Sequence, residues 1–295
     1  MRISHILLIC FLLLTGLSLS AQDDEDLLAA LGEDEAVNYV TAAFKTNRVI
    51  NLHSLENTAP GVLDFKISHR FGTFNRGIYD LFGLDNASMR LGFDFGLTDR
   101  WAIGIGRATY KKTYDGFIKY KLMRQHTGAH IMPVTVAYVA TVAAWTARLA
   151  PSEPHLLPSM RMDYTHQLII GRKFSEAASL QVTPMLVHHN LVERRDLDND
   201  VFLLGLAARV KISKWVAVTG EYIPRIAGRV PGNFRPSLSL GFDIETGGHV
   251  FQLHFTNSTS MSDASVFTET TEDWAKGGIH FGFNISRVFT LYEPK

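Results

Sequence analysis

The stretch VLDFKISHRF, Val62 to Phe71, sets Leu63, Phe65, Ile67, His69 and Phe71 on one parity and Asp64, Lys66, Ser68 and Arg70 on the other. A period of two marks an extended strand, whose successive side chains point to opposite faces. One face is apolar apart from a histidine and the other is largely charged. Whether that charged face meets bulk water or an enclosed interior decides the fold, and this strand alone leaves both open.

The alternation recurs in twelve segments, near residues 62–71, 87–97, 101–110, 116–124, 132–146, 161–173, 178–189, 201–212, 215–225, 235–245, 249–257 and 278–290. In the second, Ala87, Met89, Leu91, Phe93, Phe95 and Leu97 oppose Ser88, Arg90, Gly92, Asp94 and Gly96. In the last, Ile279, Phe281, Phe283 and Ile285 oppose His280, Gly282, Asn284 and Ser286. VTVAYVATVAAW, within 132–146, is apolar on both faces, which predicts a cover on its inner side.

The connections alternate too. LTDR, a piece around HTGAH, KFSEAAS, SKW and TGG are short, whereas GTFNRGIYDLFGLDN, ARLAPSEPHLLPS, NLVERRDLDND, RIAGRVPGNF and SMSDASVFTETTEDWAKG are long, with KKTYD the one brief member of the second set. An even number of strands joined alternately at a tight and an elaborate end is the layout of an up-and-down outer-membrane barrel. A soluble barrel of this size would enclose a lumen too wide to fill, since ~8 strands already give an interior just filled by side chains. A two-sheet sandwich avoids that cavity and is the competing arrangement.

Two features favour the membrane barrel. Small residues recur on the polar face, as Gly92, Gly96, Gly104, Gly106, Gly205, Ala207, Gly241 and Gly282, and suit a curved wall around a lumen. Phe71, Trp101, Tyr120, Trp215, Tyr222 and Phe289 fall near strand ends, where interfacial aromatics anchor such a wall. Closure also pairs every backbone polar group without a free edge in lipid. The expected fold is all-β: a transmembrane up-and-down antiparallel barrel of about twelve strands with a short N-terminal helical or irregular segment.

Residues 1–21, with Arg2 and His5 ahead of ILLICFLLLTGL and then SLSAQ, read as a signal peptide cut after Ala21. Cys10, the only cysteine, lies inside that run. Residues 22–58 form an acidic segment that is either periplasmic or a plug, in which Leu27, Leu28, Leu31, Val37 and Val40 suggest one or two helical turns broken at Gly32. The barrel is assigned to residues 59–295. A net charge of zero and a pI near 7.2 provide no field to gather nucleic acid, so that class of partner is excluded.

FKTNRVINLHSLE (44–56), GVLDFKISHRFG (61–72), LVHHNLV (186–192) and NDVFLLGLAARVKISKWVAVTGEY (199–222) resemble the outer-membrane β-barrel family of Bacteroidota-type bacteria that is defined only as a domain of unknown function. The resemblance implies a barrel and brings no catalytic or ligand residues with it.

The polar face predicts lumen-lining charges at Asp64, Lys66, Arg70, Arg90, Asp94, Lys119, Lys121, Asp163, Arg209, Lys211, Glu221, Asp243 and Glu245. They either cross-brace a narrow or plugged interior or form a constriction that holds polar solutes between basic and acidic walls. Their near balance of sign argues against strong ion selectivity. His166 sits on an apolar face, but the serine expected two residues on is Leu168, and Ser68 and His69 diverge to opposite faces. No nucleophile with its base is visible, so the chain is not read as an enzyme, with a barrel-surface lipid hydrolase as the remote alternative. His188 and His189 also diverge, and Asp196, Asp198 and Asp200 lack the glycine and distal glutamate of a calcium loop. No cofactor or metal is expected.

The functional expectation is a passive channel or uptake pore for small polar solutes. The alternative is a structural or partner-binding barrel with a blocked lumen, whose loop 257–277 or N-terminal segment engages a partner. The expected surroundings are outer-membrane lipid, a small polar solute and a periplasmic partner through residues 22–58.

Overall fold

The computed structural model describes residues 36–151, 155–246 and 249–293, so the expected signal peptide lies outside the described residues. Twelve strands make the wall: β1 (Val62–Thr73), β2 (Ala87–Gly96), β3 (Trp101–Ala108), β4 (Tyr114–Met123), β5 (Thr135–Ala144), β6 (Met162–Lys173), β7 (Ala178–His189), β8 (Asp200–Lys211), β9 (Val216–Ile223), β10 (Ser237–Thr246), β11 (His249–Thr256) and β12 (His280–Thr290). Each pairs antiparallel with the next, and β12 returns to β1 with Ile285 opposite Ile67. The sheet is therefore a closed barrel, and closure rules out the sandwich. Every segment read from the alternation is a strand, with ends displaced by a few residues.

Three of the tight turns share one device. The Thr98 hydroxyl accepts from the N–H groups of Arg100 and Trp101, the Ser175 hydroxyl from those of Ala177 and Ala178, and the Ser213 hydroxyl from those of Trp215 and Val216. A short hydroxyl side chain thus satisfies the backbone donors that a reversal leaves unpaired. The outward parity is apolar and uncovered, with Ile105 65% exposed and Phe93, Ile103, Phe242 and Leu240 also open. A continuous belt of this kind is an aggregation hazard in water and a matching surface in hydrocarbon. Among the described residues no helix is long and apolar enough to cross a membrane.

The core lies inside the barrel. Residues 43–58 run through the lumen and are buried except at Lys45, Glu56 and Asn57. The β11–β12 connection enters from the other end, carrying the short helix α1 (Asp263–Thr268), all of whose residues are buried. Of loop 257–277, expected as a partner-binding element, only the part after 268 reaches the surface. Residues 257–268 are enclosed, Thr259 only half so, because their small Ser, Thr and Ala side chains pack within the wall. Of the expected helical turns, the part at Leu27, Leu28 and Leu31 lies outside the described residues, and the part at Val37 and Val40 is corrected, for Asn38–Tyr39 is a two-residue strand paired with His126–Thr127. The Arg124 guanidinium lies 4.1 Å from the Tyr39 ring centre, and that contact together with the pairing holds the segment extended.

Inward glycines make room for the inserted segment. A side chain at Gly171 would meet Leu55 at 2.8 Å, one at Gly205 would meet Leu52 at 3.0 Å, and one at Gly241 would approach Ile50 at 3.2 Å. At Gly96 a Cβ would collide with the Ala59 carbonyl, where the segment passes over the rim into β1. The small residues on the polar face thus admit a second layer of chain as well as curvature.

Candidate functional site: the occupied lumen

The inner wall has two unlike parts. On β1–β4 it presents Asp64, Lys66, Arg70, Arg90, Asp94, Asp115 and Lys119, all buried. On β5–β9 it presents Val139, Ile169, Met185, Val187, Val201, Leu203 and Ile223 among neutral Thr165, Gln167 and Gln181, with Arg209 and Glu221 as its buried charges. Phe44, Val49, Leu52 and Leu55 of the inserted segment join this aliphatic part in one cluster, completed by Ala264, Val266 and Phe267 of α1.

The segment folds back on itself, with the Val49 N–H donating to the Leu52 carbonyl (2.8 Å) and the Ser54 N–H to that of Asn47 (3.0 Å). The tip of this turn exposes consecutive N–H groups at Ile50, Asn51 and Leu52, and all three donate to the Glu221 carboxylate at 3.0 to 3.3 Å. Successive amides arranged in this way form an anion-binding nest, and here the wall supplies the anion. Other wall side chains also address main chain: Gln252 Nε2 donates to the Val49 carbonyl (2.7 Å), Gln181 Nε2 to that of His53 (2.6 Å), and Lys119 Nζ to those of Ser54 (2.7 Å) and Glu56. Buried backbone groups that have left water need such partners.

Side-chain contacts fix the ends. Asn47 donates to Asp94 (2.7 Å), Lys45 pairs with Glu245 (2.8 Å), and Glu56 faces Lys121 (3.8 Å). Asp263 joins loop, plug and wall: Arg48 donates to it at 2.7 Å, Gln167 at 2.8 Å and Thr141 at 3.0 Å, while His53 Nε2 lies 3.3 Å away without an aligned hydrogen bond. Burial alone would raise the Asp263 carboxyl, but Arg48 and then His53 override it and hold it well below the usual carboxylate range. Burial, and after it the Arg48 charge, lowers His53 to about 4, so its ring is neutral at pH 7. Arg70 makes a second junction, donating to the carbonyls of Ser258 (2.8 Å) and Ser260 in the loop and to the Asn51 side chain in the plug.

Within the wall itself Lys66 bridges Asp64 (3.4 Å) and Asp94 (3.1 Å), Arg90 forks onto Asp115, and Arg209 reaches Asp243 (3.7 Å) and Glu245 (3.4 Å). Of the charges singled out from sequence, nine are buried and Lys121, Asp163 and Glu245 are half-buried toward the rims. Lys211 departs from the expectation and is exposed at the turn end of β8, where the strand leaves the wall. A cavity of about 50 Å³, bordered by Ala43, Leu55, Glu56 and Lys121, remains between plug and wall at the turn end.

The aromatics lie toward both strand ends. Trp101 packs on Tyr120 at 4.3 Å, and Trp215 and Phe289 also lie toward the turn end; Phe71 stacks on Phe281, and Tyr222 is likewise toward the loop end. His69 stacks on Phe283 at 4.9 Å on the outer face. His166 shares a 2.6 Å hydrogen bond with the Tyr138 hydroxyl, also on that face. His188 and His189 each contact a different aspartate, Asp200 and Asp163, at 2.7 Å. The loop acids likewise part company, Asp196 with Arg194 and Asp198 with Arg229, whose hydrogen bonds lower the Asp198 carboxyl. Among the described residues no three His, Cys, Asp or Glu side chains converge as metal ligands.

Sequence reasoning passed over Asn47, Arg48, Asn51, His53, Asp263, Gln181, Gln252 and Asp115. FKTNRVINLHSLE stood out as a recognisable block, but it has no period of two and so no signal for where it sits. Asp115 was lost by starting the fourth alternation at Gly116.

A closed twelve-strand wall with an apolar outer belt defines a membrane-bound β-barrel. The family described as the membrane bound beta barrel domain (DUF5777) matches residues 44–289, and the chain belongs to it. That match begins at Phe44, so the inserted segment is part of the family's domain. No curated protein matches the chain. Among solved structures the chain is similar to the NanC porin (9% identity, 77% of this chain and 98% of that one, TM-score 0.48) and to the KdgM porin (6%, 78% and 99%, 0.45). It is also similar to the outer membrane protein Omp33 of Acinetobacter baumannii (8%, 77% and 97%, 0.40).

Proposed function

We propose that the protein is an outer-membrane pore for small polar solutes that rests closed, with residues 43–58 as its plug. The observation that carries this is the division of partners in the lumen. Glu221, Gln181, Gln252 and Lys119 bond to the inserted segment, whereas Lys66 with Asp64, Arg90 with Asp115, and Arg209 with Asp243 form ion pairs within the wall. A wall that keeps its own charge pairs stays intact as a polar-lined passage when the segment leaves. Twelve strands also enclose more room than side chains alone fill. The outward belt faces lipid, the end-of-strand aromatics sit at headgroup depth, and residues 22–58 are available to a periplasmic partner once released.

A second reading, a permanently blocked structural barrel, is favoured by the burial of Phe44, Leu52 and Leu55 against the aliphatic strands. Planar-bilayer recording separates the two. The full chain should stay mostly closed, and a chain lacking residues 22–58, shown to be folded by heat-modifiable gel migration, should give discrete openings. Silence from a folded truncated barrel would overturn the pore and leave the blocked barrel.

A further inference from the structure

Resting on the pore reading above, we infer that the solute class of the opened lumen is the short peptide, and that residues 43–58 are a resident occupant of a site built to read peptide main chain. The wall groups that hold the plug address backbone atoms at six successive or nearly successive residues: Gln252 the Val49 carbonyl, Glu221 the amides of Ile50, Asn51 and Leu52, Gln181 the His53 carbonyl, and Lys119 the Ser54 carbonyl. They come from β4, β7, β9 and β11, so they ring the passage instead of lining one side of it. Main-chain contacts are indifferent to side-chain identity, so a peptide that takes up the same turn meets them whatever its sequence.

The remaining surface fits the same class. Gly171, Gly205 and Gly241 leave recesses filled by Leu55, Leu52 and Ile50, and the neighbouring wall is aliphatic. A sugar offers hydroxyls and no run of three consecutive amide donors to a single carboxylate. It would also leave the aliphatic recesses unfilled.

The test keeps the chain whole and weakens only the plug, with Leu52→Asp and Leu55→Asp together. Folding is checked by heat-modifiable migration. In planar bilayers, a synthetic peptide of the sequence of residues 43–58, and an unrelated uncharged peptide of similar length, should block the openings of this variant. Both should act at concentrations at least about ten-fold below an oligosaccharide of equal mass. Adding Gln181→Leu and Gln252→Leu should remove most of that advantage. Equal block by the oligosaccharide, or block that survives the glutamine changes undiminished, would overturn the inference while the pore stands. If the folded variant never opens, the pore reading fails. The solute class then falls with it, and fluorescence anisotropy of the labelled peptide with the same protein in detergent decides the remaining claim: saturable binding weakened by the glutamine changes upholds a lumen site that reads peptide main chain, and no binding overturns it.

Discussion

The lumen wall holds one occupant in two different ways. On β1–β4 the grip is polar: Asp94 takes Asn47, Lys119 takes two carbonyls, and Lys66, Arg90 and Asp115 form a scaffold of mutual pairs behind them. On β5–β9 burial is added to it, with Leu52 and Leu55 against Val139, Ile169, Val187 and Leu203, beside Glu221, which takes three amides, and Gln181, which takes a carbonyl. Burial of aliphatic side chains is worth roughly 1.5–3 kcal/mol each and has no geometry to lose, whereas polar contacts inside a barrel are directional and costly when half broken. The aliphatic side chains therefore supply the hold, and the polar groups, Glu221 and Asp263 among them, supply the register.

That division is best broken at its stronger side first. Leu52→Asp places an unpaired carboxylate among aliphatic groups, and the penalty of several kcal/mol should expel the turn. The check is cleavage of residues 43–58 by a soluble protease in the folded barrel, expected to rise from negligible to complete. Asp263→Asn comes next. It leaves Arg48 buried without its counter-charge, a loss of about 3–5 kcal/mol, read as a lower unfolding temperature and partial protease access.

Acid should act more gently and in a defined window. His53 is neutral in the folded lumen at pH 7, with its pKa lowered to about 4 from an ordinary 6.5. Between those values the released segment binds a proton that the seated one does not, so plug stability is full above pH 6.5 and declines as pH falls toward 4. Protease access to residues 43–58 should rise across that interval in the wild type and stay flat in His53→Gln. The groups facing the ring are Arg48, Asp263 and Lys119, with Phe117 packed on it at 4.6 Å; Asp263 stays ionised throughout the interval. The smallest effect belongs to Gly171→Ala. The added methyl would press on the Leu180 carbonyl of β7 at 2.7 Å as well as on the flexible end of Leu55, for about 1–3 kcal/mol and a loss of a few degrees in unfolding temperature.

The contrast between wall and plug also explains what could be read in advance. VLDFKISHRF and its eleven counterparts announce themselves because a strand with unlike faces must alternate, and the short and long connections then order them into a closed ring. The inserted segment obeys no period. Its turn at 49–52 is set by Glu221, about 170 residues away, and its aliphatic side chains by recesses at Gly171, Gly205 and Gly241. Such placement is a property of the assembled barrel. The inner cover expected from the two-faced apolar run VTVAYVATVAAW was the one trace of it: Val139 is fully buried in the cluster that contains the plug. The charged parity was legible as a set, but which members bond to one another and which to the plug was not.

The central claim is that residues 43–58 lie enclosed within the wall, and thiol accessibility tests it most directly. The chain from Gln22 onward contains no cysteine, so Ser54→Cys gives a single reporter at a fully buried plug position, and Tyr39→Cys gives one at an exposed position outside. The account predicts that a charged, water-soluble thiol reagent modifies the folded Ser54→Cys protein on the order of 100-fold more slowly than Tyr39→Cys, and that Leu52→Asp abolishes the difference. Equal rates in the otherwise unaltered barrel would contradict it.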